Sequence, residues 1–416
     1  MVSVVCYACL EDPHLSKIVK DEGEVRTCSL CHNKRKAFTA DELGKRLEPL
    51  MRNNLVRGGE YPVFSPNVEG VDYYETHGDS MEWWVGEFLG QYFDFEKEIV
   101  NAVIGADKYW PGDGGGPYWD EHTNYEERPR YQMEYLARWQ ATLDDLKHGR
   151  RFFSPSAESL FLELFKDVER LRTSSSRQPV VRTLRSGTKL YRARVCSEGV
   201  LEELLDDPLR HGGPPPPQHA RPGRMNAEGI TVLYSARDAQ TAVSEMRPSI
   251  ANEIAVVELQ TTRPVRVLDF ERLDDARDPR SLSYFQPDYA IETERREFLK
   301  GLHRSIAQPI VPGHEADYLI TQTMAEYLAH VHKRPFDGVL FKSVQRSRGT
   351  NVVLFPQRGL ISDSMSDLFG VALASDAPRV FQVNAVKYSN IELQVSRGSD
   401  GALHKYAKFD QGNDDF

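Results

Sequence analysis

No stretch of the 416 residues approaches the run of about 20 apolar residues that crosses a bilayer as a helix. The N-terminus has no basic stretch ahead of an apolar core, so it does not read as a secretory signal, and a cytoplasmic protein is expected. Five cysteines in a chain of this length are too few for a disulfide framework. Positive charge is short as well. There are 52 Lys and Arg against 62 Asp and Glu, a net charge of −10, which argues against nucleic acid as a broad backbone partner. No membrane partner is expected, and there is no internal repeat and no Walker-type phosphate loop. The remaining composition, 40% hydrophobic and 27% charged, is that of a globular chain long enough for two or three domains.

Four of the cysteines are organised. Cys6-Tyr7-Ala8-Cys9 and Cys28-Ser29-Leu30-Cys31 are two Cys-x-x-Cys knuckles. Each knuckle can turn two thiolates toward one ion, and two knuckles close a tetrahedral four-cysteine site for structural zinc, with no open position for catalysis. The plain alternative is four reduced thiols. His14 and His32 are alternative ligands that a full cysteine set makes unnecessary. Residues 1–38 are thus expected to form a zinc ribbon. The basic Lys34-Arg35-Lys36 beside it reads as a solvated turn or a protein-contact surface. Cys196, the fifth cysteine, lacks a matched partner and reads as a structural thiol.

Residues 39–171 read as a helical domain. Thr39 is placed to cap a helix over Asp41 to Leu50, and Trp84, Phe88, Leu89, Tyr92 and Phe93 give Met81 to Val103 a wide apolar face. Arg130 to Leu146 and Ser156 to Leu171 continue the pattern. A polar linker is expected at 172–183, around Ser174-Ser175-Ser176, and a polar tail at 397–416.

Between them, 184–396 alternates strand and helix signals, and one stretch organises it. Pro222-Gly223 and Glu228-Gly229 are turn punctuation, and Ile230 to Tyr234 is an apolar strand. Ser235 is placed to cap a helix with Asp238 in a capping-box position. Ala239, Ala242, Val243 and Met246 then recur at helical spacing until Pro248. Glu245 falls near the C-terminal end of that helix, where the macrodipole disfavours a carboxylate. Further strands are expected at Lys189 to Arg194, Ile254 to Leu259, Val265 to Phe270, Val339 to Lys342 and Asn351 to Phe355. Helices are expected over Pro287 to Ala307 and Ala316 to Lys333. Phe381 to Val386 and Ile391 to Val395 read as a last strand pair.

This half of the chain resembles the RES domain family. The family's Gly-Arg-x-Asn turn, apolar strand ending in Tyr, and Ala-x-x-Glu helix match Gly223-Arg224-Met225-Asn226, Val232-Leu233-Tyr234 and Ala242-Val243-Ser244-Glu245. Its first Arg matches Arg192 and its closing Ser matches Ser343; Tyr318 to Gln322 with Ala325-Glu326 matches a family helix. The order of ribbon, helices and RES domain is similar to that of RES proteins preceded by a HEPN-like helical region. The RNase form of that region needs an Arg and a His a few residues apart, and Arg138 and His148 are too far apart.

The resemblance implies an α+β chain whose mixed β-sheet RES domain is related to ADP-ribosyltransferase folds. It also implies NAD as substrate and cleavage of the nicotinamide–ribose bond by an NAD glycohydrolase or NAD phosphorylase, in a toxin or antiphage defence effector. A protein ADP-ribosyltransferase is the first alternative. The second is a zinc and helical binding module, or a HEPN-type RNase, with an inert RES half. Arg192 and Arg224 would take the pyrophosphate, Tyr234 the nicotinamide face, and Glu245 the ribose and the positive charge that develops on it. Ser343 would bond ribose or phosphate. Asn226 is counted with the substrate-binding residues although its first task is the turn, and Gln322 would bond the nicotinamide amide or brace Glu245. From the residues alone, Arg194 is as good a cation as Arg192. A protein inhibitor or activator and a homo-oligomer remain open as partners.

Overall fold

The computed structural model describes residues 2–407 apart from 64–72, 108–115, 129–132, 198, 278–281, 308–314, 358, 361, 363, 387–392 and 398–402. Among these residues no helix is long and apolar enough to cross a membrane. The chain forms two compact units, one of residues 1–179 with 272–302 and the other of 180–271 with 303–416.

The first unit opens with a three-stranded antiparallel sheet in which Lys34–Thr39 lies between Val4–Cys6 and Glu24–Thr27. The helix Pro13–Glu22 starts where Asp12 accepts the amide of Leu15 at 2.7 Å. Thr39 and Glu42 form a capping box at the start of Ala40–Asn54, as the sequence predicts. The Cys-bearing segment is not an independent ribbon in packing terms, because Val5, Leu15 and Phe38 share one core with Leu43, Leu47, Trp84 and Phe88. The single helix expected over Met81 to Val103 is two helices, Met81–Leu89 and Glu96–Ala106, parted at Gly90 in the left-handed region with φ 72°. Residues 39–171 are not purely helical either. Leu55–Arg57 pairs with Tyr125–Glu127 and Glu60–Val63 with Tyr73–Thr76. Residues 172–183 are not a free linker: Arg172–Thr173 pairs with Ala276–Arg277, and Val181–Leu184 becomes a strand of the second unit because Val180 and Leu184 are buried.

The second unit is built on a mixed nine-stranded sheet. Its order runs Val371–Leu373, Glu253–Thr261, Lys189–Val195, Leu233–Ala236, Thr350–Leu354, Gly338–Lys342, Val265–Asp269, Val181–Leu184, with Arg379–Gln382 also against Glu253–Thr261. All named pairings are antiparallel except Val265–Asp269 with Gly338–Lys342. Leu190, Leu233, Val257, Leu259, Leu340 and Val352 form one core of this sheet. A second cluster of small residues, Ala193, Ala236, Ala239 and Ala242, seats the helix Ala239–Glu245 close to the strands. The expected last strand pair, Phe381 to Val386 with Ile391 to Val395, is not seen among the described residues, and 391–392 lie outside them: Phe381 packs against the small-residue cluster and its strand joins Glu253–Thr261, while Leu393–Arg397 pairs with Leu403–Ala407. Part of the expected tail is therefore a strand; the rest, 398–402 and 408–416, lies outside the described residues.

Two glycines test the helix packing of the first unit. A Cβ on Gly44 would lie 2.4 Å from the Ala102 methyl and 2.7 Å from the Ile99 carbonyl, whereas one on Gly105 would meet nothing within 4 Å. Gly44→Ala is expected to destabilise by about 1–3 kcal/mol despite its helix propensity, and Gly105→Ala to stabilise by up to about 1 kcal/mol. Thermal melting of the two variants checks this pair of opposite signs.

Candidate active site

The site lies where two strands separate. Lys189–Val195 pairs with Glu253–Thr261 along its length, but with Leu233–Ala236 only at Tyr191↔Ala236. Beyond that point the strands part, and a cleft of about 470 Å³ opens with Arg192, Arg194, Tyr234 and Ser235 along its split and Arg224, Glu245, Phe341 and Asn351 around it. That size suits a small organic ligand.

Arg192 is only 7% exposed, and its Nε and Nη1 have no hydrogen-bond partner among the described residues. Burial holds its guanidinium well below the usual arginine range, the charge of Arg194 adds to the effect, and Tyr234 opposes it. Burial alone also lowers Arg194. An uncompensated buried cation costs several kcal/mol, so a ligand anion reaching it recovers what the fold gives up. Both residues stand on one strand at i and i+2, on the same side.

Tyr234 is held at its hydroxyl, which donates to Asn226 Oδ1 at 3.0 Å and accepts the amide of Met225 at 2.9 Å. Burial pushes its phenol up to about 12, so it remains a donor at neutral pH. The turn ahead of it is tied from both sides. Asn226 Nδ2 donates to the carbonyls of Arg221, Ala227 and Ile230. Thr321 Oγ1 donates to the Arg224 carbonyl at 2.7 Å, and Gln322 Nε2 to the Gly223 carbonyl at 2.8 Å. The Asn226 amide is thereby engaged inside its own loop, and Gln322 braces the turn and not Glu245. Gly223 is needed at this approach, since a Cβ there would lie 2.6 Å from the Tyr234 oxygen. The expected long helix from Ala316 is a 3-10 turn at Glu315–Tyr318, an α-helix at Leu319–Glu326 and a π turn at Tyr327–Val331.

Glu245 closes the helix Ala239–Glu245. Its Oε1 accepts from Ser343 Oγ at 2.5 Å and from Asn351 Nδ2 at 2.8 Å. Ser343 and Asn351 are both buried, at 4% and 7% exposure. The other end of the helix is capped by Asp238 alone, through Thr241. Ser235 is not a cap: it lies in the strand Leu233–Ala236, which begins later than the sequence reading placed it, and its hydroxyl donates to the Val352 carbonyl. Arg346 then joins the two ends of the arrangement. Its guanidinium donates to Asp238 and Thr241, and its backbone amide to Ser343 Oγ. Asn351 and Arg346 escaped the sequence reading. A polar Asn opening an otherwise apolar strand was the available signal for the first; Arg346 sits in a polar loop and gives none.

A second cluster lies in the first unit. The sulfurs of Cys6, Cys9, Cys28 and Cys31 all fall within 4.8 Å of one another. Cys6 and Cys31 are 3.7 Å apart and Cys28 and Cys9 3.9 Å. Four thiolates about 2.3 Å from a tetrahedral ion lie about 3.8 Å apart, so the donor set and spacing fit such an ion. Neither His14 nor His32 belongs to a candidate cluster among the described residues.

The family model of the RES domain matches residues 189–366. This segment is a RES domain. No curated protein and no solved structure matches the chain. The RES segment holds Arg192, Arg224, Asn226, Tyr234, Glu245, Gln322 and Ser343, together with Asn351 and Arg346, while the four clustered cysteines lie outside it. It also contains 272–302, which pack in the first unit.

The RES cleft makes a test of its own cation possible. Arg192→Met removes a buried charge that has no protein partner among the described residues, and is expected to raise the stability of the ligand-free chain by about 1–4 kcal/mol. Inorganic pyrophosphate should raise the melting temperature of the wild-type chain and not that of the variant. A variant that melts lower and still responds to pyrophosphate would contradict this view of Arg192.

Proposed function

We propose that the RES domain binds NAD in this cleft and cleaves its nicotinamide–ribose bond, as an NAD glycohydrolase or NAD phosphorylase. The observation that carries this reading is one cleft with a buried guanidinium, Arg192, that has no partner among the described residues, and a carboxylate, Glu245, fixed by two buried donors. RES domains are associated with NAD-related toxins and effectors, and NAD has the matching charges. Its pyrophosphate is a double anion, and its ribose becomes cationic as the bond to nicotinamide breaks.

In this reading Arg192, with Arg194 and Arg224 beside it, takes the pyrophosphate and so holds the ribose in place. The Tyr234 ring forms a wall, its hydroxyl already spent on the turn. Ser343 and Asn351 both occupy Oε1 of Glu245, and Oε2 has no protein partner among the described residues, so it is the oxygen that faces the ribose. As the glycosidic pair leaves with nicotinamide, C1′ gains positive charge, and a fixed carboxylate stabilises it without reorganising. Water or phosphate then completes the reaction at C1′; a protein side chain in the same place would make the domain an ADP-ribosyltransferase of the related fold class. Arg138, the arginine of the RNase alternative, is bound to Glu163 at 2.6 Å, which favours a structural role.

Glu245→Gln keeps the shape and the bonds to ribose, and should lower kcat by about a hundred- to a thousandfold, or about 3–4 kcal/mol, with binding largely kept. Arg192→Ala and Arg224→Ala should raise KM at least as clearly as they lower kcat. The measurement is steady-state NAD cleavage with the products identified by mass spectrometry, with and without phosphate. Near wild-type turnover in a folded Glu245→Gln chain would sink the assignment.

We infer further that the four cysteines hold one zinc ion in a structural role, since four thiolates leave no open coordination position. The ion ties Val4–Cys6 to the segment before Lys34–Thr39, in a sheet whose core continues into the helices. Elemental analysis should return about one zinc per chain, and a strong chelator should lower the melting temperature. A metal-free chain with an unchanged melting curve would overturn this reading.

A further inference from the structure

A second cavity of about 590 Å³ meets the first at Arg192, Arg194, Pro222, Gly223 and Tyr234. It does not reach Glu245, and among the described residues no carboxylate lines it. Its walls are instead Arg192 and Arg194, the end of their strand at Val195, and the loop that carries Pro215, His219, Arg221 and Pro222. That loop is not slack at its exit, because Asn226 Nδ2 holds the Arg221 carbonyl at 2.9 Å. The lining combines three arginines with the flat or apolar surface of Val195, Pro215, His219 and Pro222. Arg192, more than nine-tenths buried and with Nε and Nη1 unpartnered, lies on the boundary of both cavities.

We infer that this second cavity receives the adenylate half of the dinucleotide, a purine nucleoside whose 5′-phosphate lies on Arg192 and Arg194. The inference rests on the NAD reading above for the other half of the ligand, and it fixes the direction of the substrate. The nicotinamide riboside lies toward Glu245, the pyrophosphate straddles the boundary arginines, and the purine lies between Val195 and the loop at Pro215 and His219. Proline and imidazole rings offer faces on which a base stacks. Three arginines without a carboxylate among the described lining residues match the charge of a pyrophosphate better than that of a single phosphate. The wall distant from Glu245 therefore selects for a dinucleotide over a mononucleotide.

Val195→Trp adds bulk at the rim of the cavity, from a position 37% exposed at the end of the strand. His219→Ala, at an exposed side chain, removes the stacking face with a smaller change. Binding of AMP to the full chain is measured by calorimetry, and cleavage of NAD and of nicotinamide mononucleotide by steady-state kinetics, with melting curves as the fold check. Val195→Trp should weaken AMP binding and raise KM for NAD by about tenfold or more, while mononucleotide cleavage stays within about twofold. His219→Ala should shift both in the same direction by a smaller factor. Unchanged AMP binding and unchanged KM for NAD in both variants would overturn the inference, as would an equal loss on NAD and on the mononucleotide. If wild type cleaves neither substrate but binds AMP in a way that Val195→Trp abolishes, the cavity assignment stands and the cleavage reading fails. If NAD is cleaved and AMP does not bind wild type, the cavity assignment alone fails.

Discussion

A buried cation without a protein partner among the described residues sets the character of the RES domain. Arg192 belongs to a strand that is paired along its length with Glu253–Thr261, and its head is buried where the neighbour on the other side, Leu233–Ala236, turns away. The split between the strands leaves it facing a cleft, where an anionic ligand can supply what the protein does not. The cost falls on the stability of the ligand-free fold, and binding recovers it.

The carboxylate at the other side of the cleft is built in the opposite manner, by over-determination. Glu245 ends a short helix whose C-terminus disfavours negative charge, yet Ser343 and Asn351 each donate to the same oxygen. The loop that presents Ser343 is tied back to the start of that helix by Arg346 on Asp238 and Thr241. Gly349 is required there, because a Cβ would lie 2.6 Å from Thr241 Oγ1 and 3.1 Å from Ser343 Cβ. One end of the helix thus positions the loop, and the loop positions the charge at the other end. The carboxylate is rigid before any ligand arrives, which is what electrostatic stabilisation of a developing charge needs.

Much of this was legible in the sequence, for identifiable reasons. The strand Glu253–Thr261 follows from its apolar run, and the capping box at Thr39 and Glu42 is local chemistry. The clustered cysteines follow from knuckle spacing. Tertiary choices were not legible. Ser235 and Asp238 are both acceptable caps by composition, and only the pairing of Ser235 with Val352 across the sheet decides for Asp238. Gly90 has the same residue type whether it sits inside a helix or ends one, and its positive φ appears only in three dimensions. The packing of 272–302 in the first unit, although they fall inside the matched range 189–366, leaves no local trace at all. Asn351 and Arg346 matter through residues distant in sequence, a relation that spacing does not encode.

The central claim is that Arg192 and Glu245 act on two parts of one ligand, a diphosphate and a ribose. A crystal structure of the full-length Glu245→Gln chain with NAD tests it most directly. Diphosphate oxygens should lie within hydrogen-bond distance of Arg192 Nε and Nη1, with the nicotinamide ribose beside residue 245. A dinucleotide bound elsewhere, or bound in the cleft with Arg192 still without a partner, would contradict it.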